Sequence, residues 1–309
     1  MAVLLIFAVL AALAVRMSSN HSLLIAQARH QFGSDLALSY AVGAEELARE
    51  ALRDDHQNTG KDVDHLQETW AQAIPPFELD EGGALEVQVV DLGGCFNLNG
   101  VAADQNAYKA FQQLLNNAGL PQRIADLVRD WTDVDQQINE GFGAEDSEYL
   151  LAQPAYRAAN QPMRDLSEVD LLHDLQPEER RELKRLTCVR PDTGFQVNVN
   201  TAPPEVLAAL VPNTSLGDLA PLAEGERSYL TVDEFIQENE DFVPAQAFLK
   251  TESQFFRINV HVNVADAVTI VSSLAERAAD NGVVTILQRD FGREFTSRLA
   301  LAASTTEAE

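Results

Sequence analysis

Basic residues, cysteine and aromatics are all scarce in this sequence, and each shortage narrows what the chain can be. Lys and Arg total 22 of 309 residues against 48 Asp and Glu, a formal charge of −26. A chain so charged repels a phosphate backbone, which argues against a nucleic-acid binder working by charge neutralisation. Two cysteines, Cys95 and Cys188, are too few for a disulfide-rich scaffold or a four-thiolate zinc site. The six histidines fall in no H-x-x-x-H or H-E-x-x-H pattern, and G-x-S-x-G, Walker A and G-x-G-x-x-G are absent. Aromatics make up only 7% of residues, yet 46% are hydrophobic, enough for one large or two ordinary domains.

Against this acidic background, the first fifteen residues, MAVLLIFAVLAALAV, carry no polar side chain. A free-standing membrane span needs about 20 apolar residues, so the run is short for one. Its length suits a signal-peptide core, and Ala12-Leu13-Ala14 offers a small-residue cleavage pattern. No Lys or Arg precedes it, so the basic start of a signal peptide is missing. From Ser22 to Arg53 there is no proline, and Leu24, Ala28, Phe32, Leu36, Tyr40, Ala44, Leu47 and Ala51 recur at helical spacing. The greasy run is therefore expected to continue into one helix of about fifty residues, or ~75 Å at the helical rise.

Beyond Gly60 the pattern predicts a short helix over Asp64–Ala73, stopped by Pro75-Pro76. Ala84–Asp91 alternates as a half-buried strand should, and Gly93-Gly94 suggests a turn into a return strand over Cys95–Gly100. Helices are expected over Ala107–Ala118, Pro121–Trp131 and Asp146–Ala152, with two more between Ser167 and Leu186. FQVNVNT at Phe195–Thr201 reads as a strand. Pro203–Leu210 and Val232–Glu238 read as helices capped by Thr201 and Thr231. Gln254–Val264, Ala267–Arg277 and Gly282–Asp290 predict three antiparallel strands, of which the middle one is also compatible with a helix. Neither β portion suffices alone, so both are expected to join in one sheet packed on the long helix. The divisions are then 1–53 (long helix, 1–15 its membrane segment), 54–100, an inserted helical block 101–250, strands 251–300 and a disordered tail 301–309. The block has two halves, about 101–190 and 198–250.

The densest acidic segment holds Asp130, Asp133, Asp135, Glu145, Asp146 and Glu148 around Gly141 and Gly143. Carboxylates plus loop carbonyls suit calcium, which takes six to eight oxygens, although the spacing is not that of an EF-hand. A solvated acidic loop, or a general acid and base as in glycosidases, are the competing readings. Cys95 and Cys188 could bridge if the strands near them are neighbours, and otherwise stay as buried thiols. Asn198–Leu207 resembles the start of a helix-hairpin-helix module. From Val206 to Asp241, however, Arg227 is the sole basic residue, too few for a DNA backbone. An exported binding protein of that type, released by signal cleavage, is the rival to a membrane-held chain.

Taken in order, several segments resemble the K family of minor pseudopilins from bacterial type II secretion systems. They are the apolar start, Tyr40-Ala41-x-Gly43-Ala44-Glu45, Asp64-His65-Leu66 with Trp70-Ala71, Pro76-Phe77, and Asp91 with Phe96-Asn97-Leu98-Asn99. Asp130-Trp131-x-Asp133-x-Asp135, Gly143-Ala144-Glu145-Asp146-x-x-Tyr149 and Asn198-Val199-Asn200-Thr201-Ala202 complete them. The resemblance implies an α+β, type IV pilin-like fold with a large helical domain inserted in its sheet. It also implies a non-enzymatic subunit in the inner membrane, its body in the periplasm, at a pseudopilus tip with minor pseudopilins I and J. Calcium in the helical domain is implied likewise. Most pseudopilins carry a glutamate at mature position five. Counting from Met1, that position here is Leu5, as the resemblance implies for a tip subunit. The short basic leader ending in glycine is not seen in this sequence.

Overall fold

Helix α1 (Ala2–Asn58) runs unbroken through the apolar start and the amphipathic stretch behind it. The computed structural model describes residues 2–292, apart from 59–62, 73–74, 81, 140, 213, 215–216, 218, 220–221, 223–224 and 265–266, together with residue 295. Met1 and the expected tail 301–309 lie outside the described residues. The stripe that α1 buries differs from the one expected. Ala37, Ala41, Ala44, Ala48 and Leu52 are covered, whereas Phe32 and Leu47 remain 76% and 74% exposed. Alanines at three- and four-residue spacing let the helix backbone approach the sheet closely, and the bulkier side chains are left to the flank.

That sheet has five strands in the order β1 (Phe77–Glu78), β2 (Gly83–Asp91), β7 (Phe255–Val264), β8 (Ala267–Arg277) and β9 (Val284–Phe291), all antiparallel. Alternation places Phe256, Ile258, Val260, Val262 and Val264 of β7 on or beside the core under α1, with Trp70 edge-on to Phe256 at 5.4 Å. Inside this core Glu45 is buried, held by Arg289 (2.7 Å) and Ser273. Its charge was not expected on the packed face.

Everything between β2 and β7 is a second body with its own core. It contains α2 (Gly100–Ala103), α3 (Gln105–Asn117), α4 (Arg123–Thr132), α5 (Asp146–Tyr149), α6 (Pro177–Leu186), α7 (Pro204–Leu210) and α8 (Val232–Glu238). Asp104 and Thr231 cap α3 and α8 through their side chains.

Four local expectations are corrected. The stretch Asp64–Gln72 forms turns instead of a helix, because the Glu68 carboxylate accepts from the His65 backbone (3.0 Å) and Trp70 Nε1 (2.8 Å). The expected end of that helix, Ala73, lies outside the described residues. The strand after Gly93-Gly94 is only β3 (Phe96–Asn97), and it pairs in parallel with β4 (Thr187–Cys188) instead of folding back on β2. FQVNVNT shrinks to β5 (Val197–Asn198), parallel to β6 (Leu249–Lys250). Thr201 does not cap α7. Pro203 occupies that position, and the Thr201 hydroxyl donates to Asp91 at 2.5 Å.

The two short pairings share one device. In Asn97-x-Asn99 and Asn198-x-Asn200 the side-chain amides stand in for backbone partners. Asn99 exchanges bonds with Met163 (2.7 and 2.9 Å), and Asn200 does so with Tyr229 (2.8 and 3.0 Å). Each half of the inserted body is pinned by one such motif.

Candidate functional site

The acidic segment folds around the C-terminus of α4. Asp130 lies in its last turn, fully buried, and Asp133 is the residue that ends it. Asn139 returns over both: its Nδ2 donates to Asp130 Oδ1 at 2.5 Å and to Asp133 Oδ2 at 3.3 Å. Gly143 passes against Asp130 so closely that a Cβ there would sit 1.7 Å from Oδ2. Only glycine permits that approach.

Glu145 follows and is 3% exposed; its side chain closes a capping box with the Glu148 backbone and faces Asn160, while Asp133 Oδ1 has no partner among the described residues. Burial pushes the Glu145 carboxyl up to about 7, with the neighbouring charges of Asp130 and Asp133 adding to the rise. Burial likewise raises Asp130 and Asp133 above the ordinary carboxylate range. Carboxylates that repel one another in a partly buried setting are a costly arrangement unless a proton or a cation joins them.

The other acids of the segment serve differently. Asp146 pairs with Arg157 and accepts from the Ala158 backbone at 3.1 Å. Glu148 accepts from the Glu145 backbone (3.0 Å) and Ser147 Oγ (2.7 Å). Asp135 is exposed and accepts from the Gln137 backbone, while its carbonyl takes a bond from Asn160 Nδ2 at 2.6 Å. The structure thus places Asp130, Asp133 and Glu145 near one another at the end of α4, though not within 4.8 Å as a set, and engages Asp146 and Glu148 elsewhere. Sequence spacing missed Asn139 and Asn160. Asn160, with a buried unpartnered Oδ1, is remote in sequence, and no motif flags it.

A second feature lies where the inserted body meets the sheet. Cys95 and Cys188 form a disulfide with their Cα atoms 5.8 Å apart, beside Leu92, Phe255 and Leu274. Close by, Arg277 at the end of β8 reaches Asp64 (2.5 Å) and Asp55 (3.5 Å). Asp91 at the end of β2 accepts from Ser253 Oγ (2.7 Å) and the Gly93 backbone (2.6 Å). Burial raises the Asp64 carboxyl to about 7 against the opposing pull of Arg277.

The third feature is the free half of α1. Its apolar N-terminal portion is long and apolar enough to cross a membrane and packs on nothing else among the described residues. Leu5 lies within it.

Sequence models of the family described as type II secretion system (T2SS), protein K, match residues 94–192 and 197–248. A Pseudomonas aeruginosa type II secretion system protein K is 33% identical over 306 residues, covering 94% of this chain and 91% of that protein. The chain belongs to the type II secretion system protein K family. Another protein K, from Klebsiella pneumoniae, is 36% identical over 227 residues, 68% of each chain. Among solved structures, the GspK-GspI-GspJ complex from enterotoxigenic Escherichia coli contains a chain that matches with a TM-score of 0.75 and 26% identity, over 87% of this chain and 99% of that one. The two family matches fall on the two halves of the inserted body. The helix-hairpin-helix likeness of Asn198–Leu207 falls within the second of them.

Proposed function

We infer that this protein K family chain is a minor pseudopilin, a structural subunit without catalytic activity. It sits at the tip of the type II secretion pseudopilus with pseudopilins I and J and helps initiate assembly. The observation carrying this is the likeness, along nearly the whole chain, to a protein solved in complex with GspI and GspJ. The architecture supports it. The inserted body is bulky and hangs from the sheet by β2 and β7, so it would obstruct addition of a further subunit beyond it. The apolar half of α1 holds the chain in the bacterial inner membrane before assembly, with the acidic body in the periplasm. The disulfide suits that oxidising compartment. An exported helix-hairpin-helix protein is disfavoured, since α1 continues without a break from the apolar run into the packed segment.

We further propose that the acidic cluster takes a calcium ion, for which its carboxylates, not all within 4.8 Å of one another, would draw together. Asp130, Asp133 and Glu145 present only oxygen, as a hard cation requires, and burial with mutual repulsion raises all three above the ordinary carboxylate range. These residues would hold the ion, with Asp135 and Asn160 at its margin. Calcium would supply no chemistry beyond charge, closing the loop 133–160 against α4. The functional reading is tested by tagging the full chain and purifying it from membranes with I and J co-expressed. Joint elution of all three supports the reading, and elution of this chain alone refutes it.

A further inference from the structure

The inserted body is tied to the sheet by more than the two strands that enter and leave it. Behind α1 the chain turns at Asp64, which is fully buried, and meets the neck of the inserted body. The Asp64 amide donates to the Thr251 carbonyl at 2.8 Å, and its own carbonyl accepts from Asn198 Nδ2 of β5 at 3.0 Å. Its carboxylate accepts from the Ser253 amide at 2.6 Å and from Arg277 Nη2 at 2.5 Å. Arg277 in turn donates to the Leu52 carbonyl of α1 at 3.4 Å and the Ser253 carbonyl at 3.0 Å, and pairs with Asp55. Asp64 and its arginine thus gather α1, β8, β5 and the neck segment 251–253 at one point. The charges at that point do not balance. Carboxylate oxygens of Asp55, Asp64 and Glu68 lie within 4.8 Å of one another, Asp91 repels from β2, and Arg277 is the cation lodged among them. His56, Lys250 and Glu252 line the cavity beside it. A buried carboxylate that must share its guanidinium with a second acid is costly in its charged form, and burial holds the Asp64 carboxyl at about 7.

We propose that Asp64 is a proton-operated latch between the pilin-like frame and the inserted body, holding the neck closed when it carries a proton and letting the neck open locally when it does not. β2 and β7 keep the two bodies connected in either state. In the closed neck the carboxyl takes up its proton near 7, whereas in an opened, watered neck it returns to the ordinary 3.8. The proton's contribution to closure is therefore complete below the lower value and is lost as pH climbs through the upper one. Between pH 5.5 and pH 8.5 the ratio of closed to open neck should fall about thirtyfold. The latch governs how firmly the inserted body is aimed relative to α1.

The test is amide hydrogen exchange on the full chain in detergent, read by mass spectrometry and corrected for the intrinsic pH dependence of exchange. Protection of the Asp64 and Ser253 amides, the two that the latch bonds engage, should be about thirtyfold greater at pH 5.5 than at pH 8.5. The β7–β8 ladder away from the neck, around Val260 and Val271, should show no such change. Asp64→Asn keeps the shape without the charge, so its neck protection should stay level across the range. Should that variant fail to fold, the wild-type neck compared with its own ladder decides alone. Neck protection that is level with pH in the wild type, that shifts no more than the ladder, or that shifts equally in Asp64→Asn overturns the proposal.

Discussion

Glu145→Gln provides a sharp test of the acidic cluster, because its expected effect changes sign with calcium. Glutamine keeps the shape and removes the charge. In calcium-free protein the wild-type carboxyl, raised from 4.5 to about 7, opposes folding once it ionises. A raised folded pKa means that its stabilising contribution is complete below the unfolded value and is lost as pH climbs through the folded one. The shift corresponds to roughly 3 kcal/mol by linkage, an upper figure because local rearrangement relieves part of it. At pH 8 without calcium, Glu145→Gln should therefore raise stability by about 1–3 kcal/mol, or several degrees in melting temperature. It should also flatten the fall in stability that the wild type shows between about pH 4.5 and 7. With millimolar calcium the order should reverse, since the variant lacks a ligand that the proposed ion would use. Thermal melts at pH 5 and 8, with chelator and with calcium, decide the matter. The reasoning is refuted if the variant is less stable than wild type in chelator, or if calcium leaves the wild-type melt where it was.

Further expectations concern the seam and the loop. Arg277→Met leaves Asp64 and Asp55 buried without their cation and should cost about 3–5 kcal/mol, read by urea unfolding at pH 8. The loss should shrink toward pH 6, where Asp64, with its carboxyl near 7, takes up a proton. Reducing Cys95–Cys188, which are 93 residues apart, should lower stability by about 2–4 kcal/mol, seen as an earlier melt in dithiothreitol. Gly143→Ala drives a methyl group into Asp130 and should weaken calcium binding at least tenfold by calorimetry, while leaving co-purification with partners in saturating calcium intact.

What could be read from the sequence follows a physical division. Long periodic segments were legible: α1 and the strand β7, whose alternate residues lie under α1, whereas β8 read equally as a helix because it is buried on both faces. The buried side of α1 was not legible, because apolar periodicity counts bulky residues, whereas close helix–sheet approach selects Ala37, Ala41, Ala44 and Ala48. The two-residue strands were misread because a β3 or β5 has no period, and parallel partners such as Thr187–Cys188 lie about ninety residues downstream. At the acidic cluster, composition marked the segment but not which of its acids are taken up by other partners. Asp146 and Glu148 look like ligands by spacing, yet one is held by Arg157 and the other by the backbone of its own helix turn. Asn160 was invisible, being placed only by tertiary folding.

The register of β2 with β7 has a consequence for how such a chain could be rebuilt. Asp91 stands opposite Phe256, and the ladder continues one step further through the Leu92 amide to the Phe255 carbonyl at 3.0 Å. Topologically the two strands are therefore arms of a single hairpin, and residues 93–254 form an elaborate tip between neighbouring anchor points. A protein engineer could exchange that tip for a two-residue Asn-Gly turn without asking any strand to change place. The small pilin-like frame that remained would keep its helix, its sheet order and the register of every pair in it.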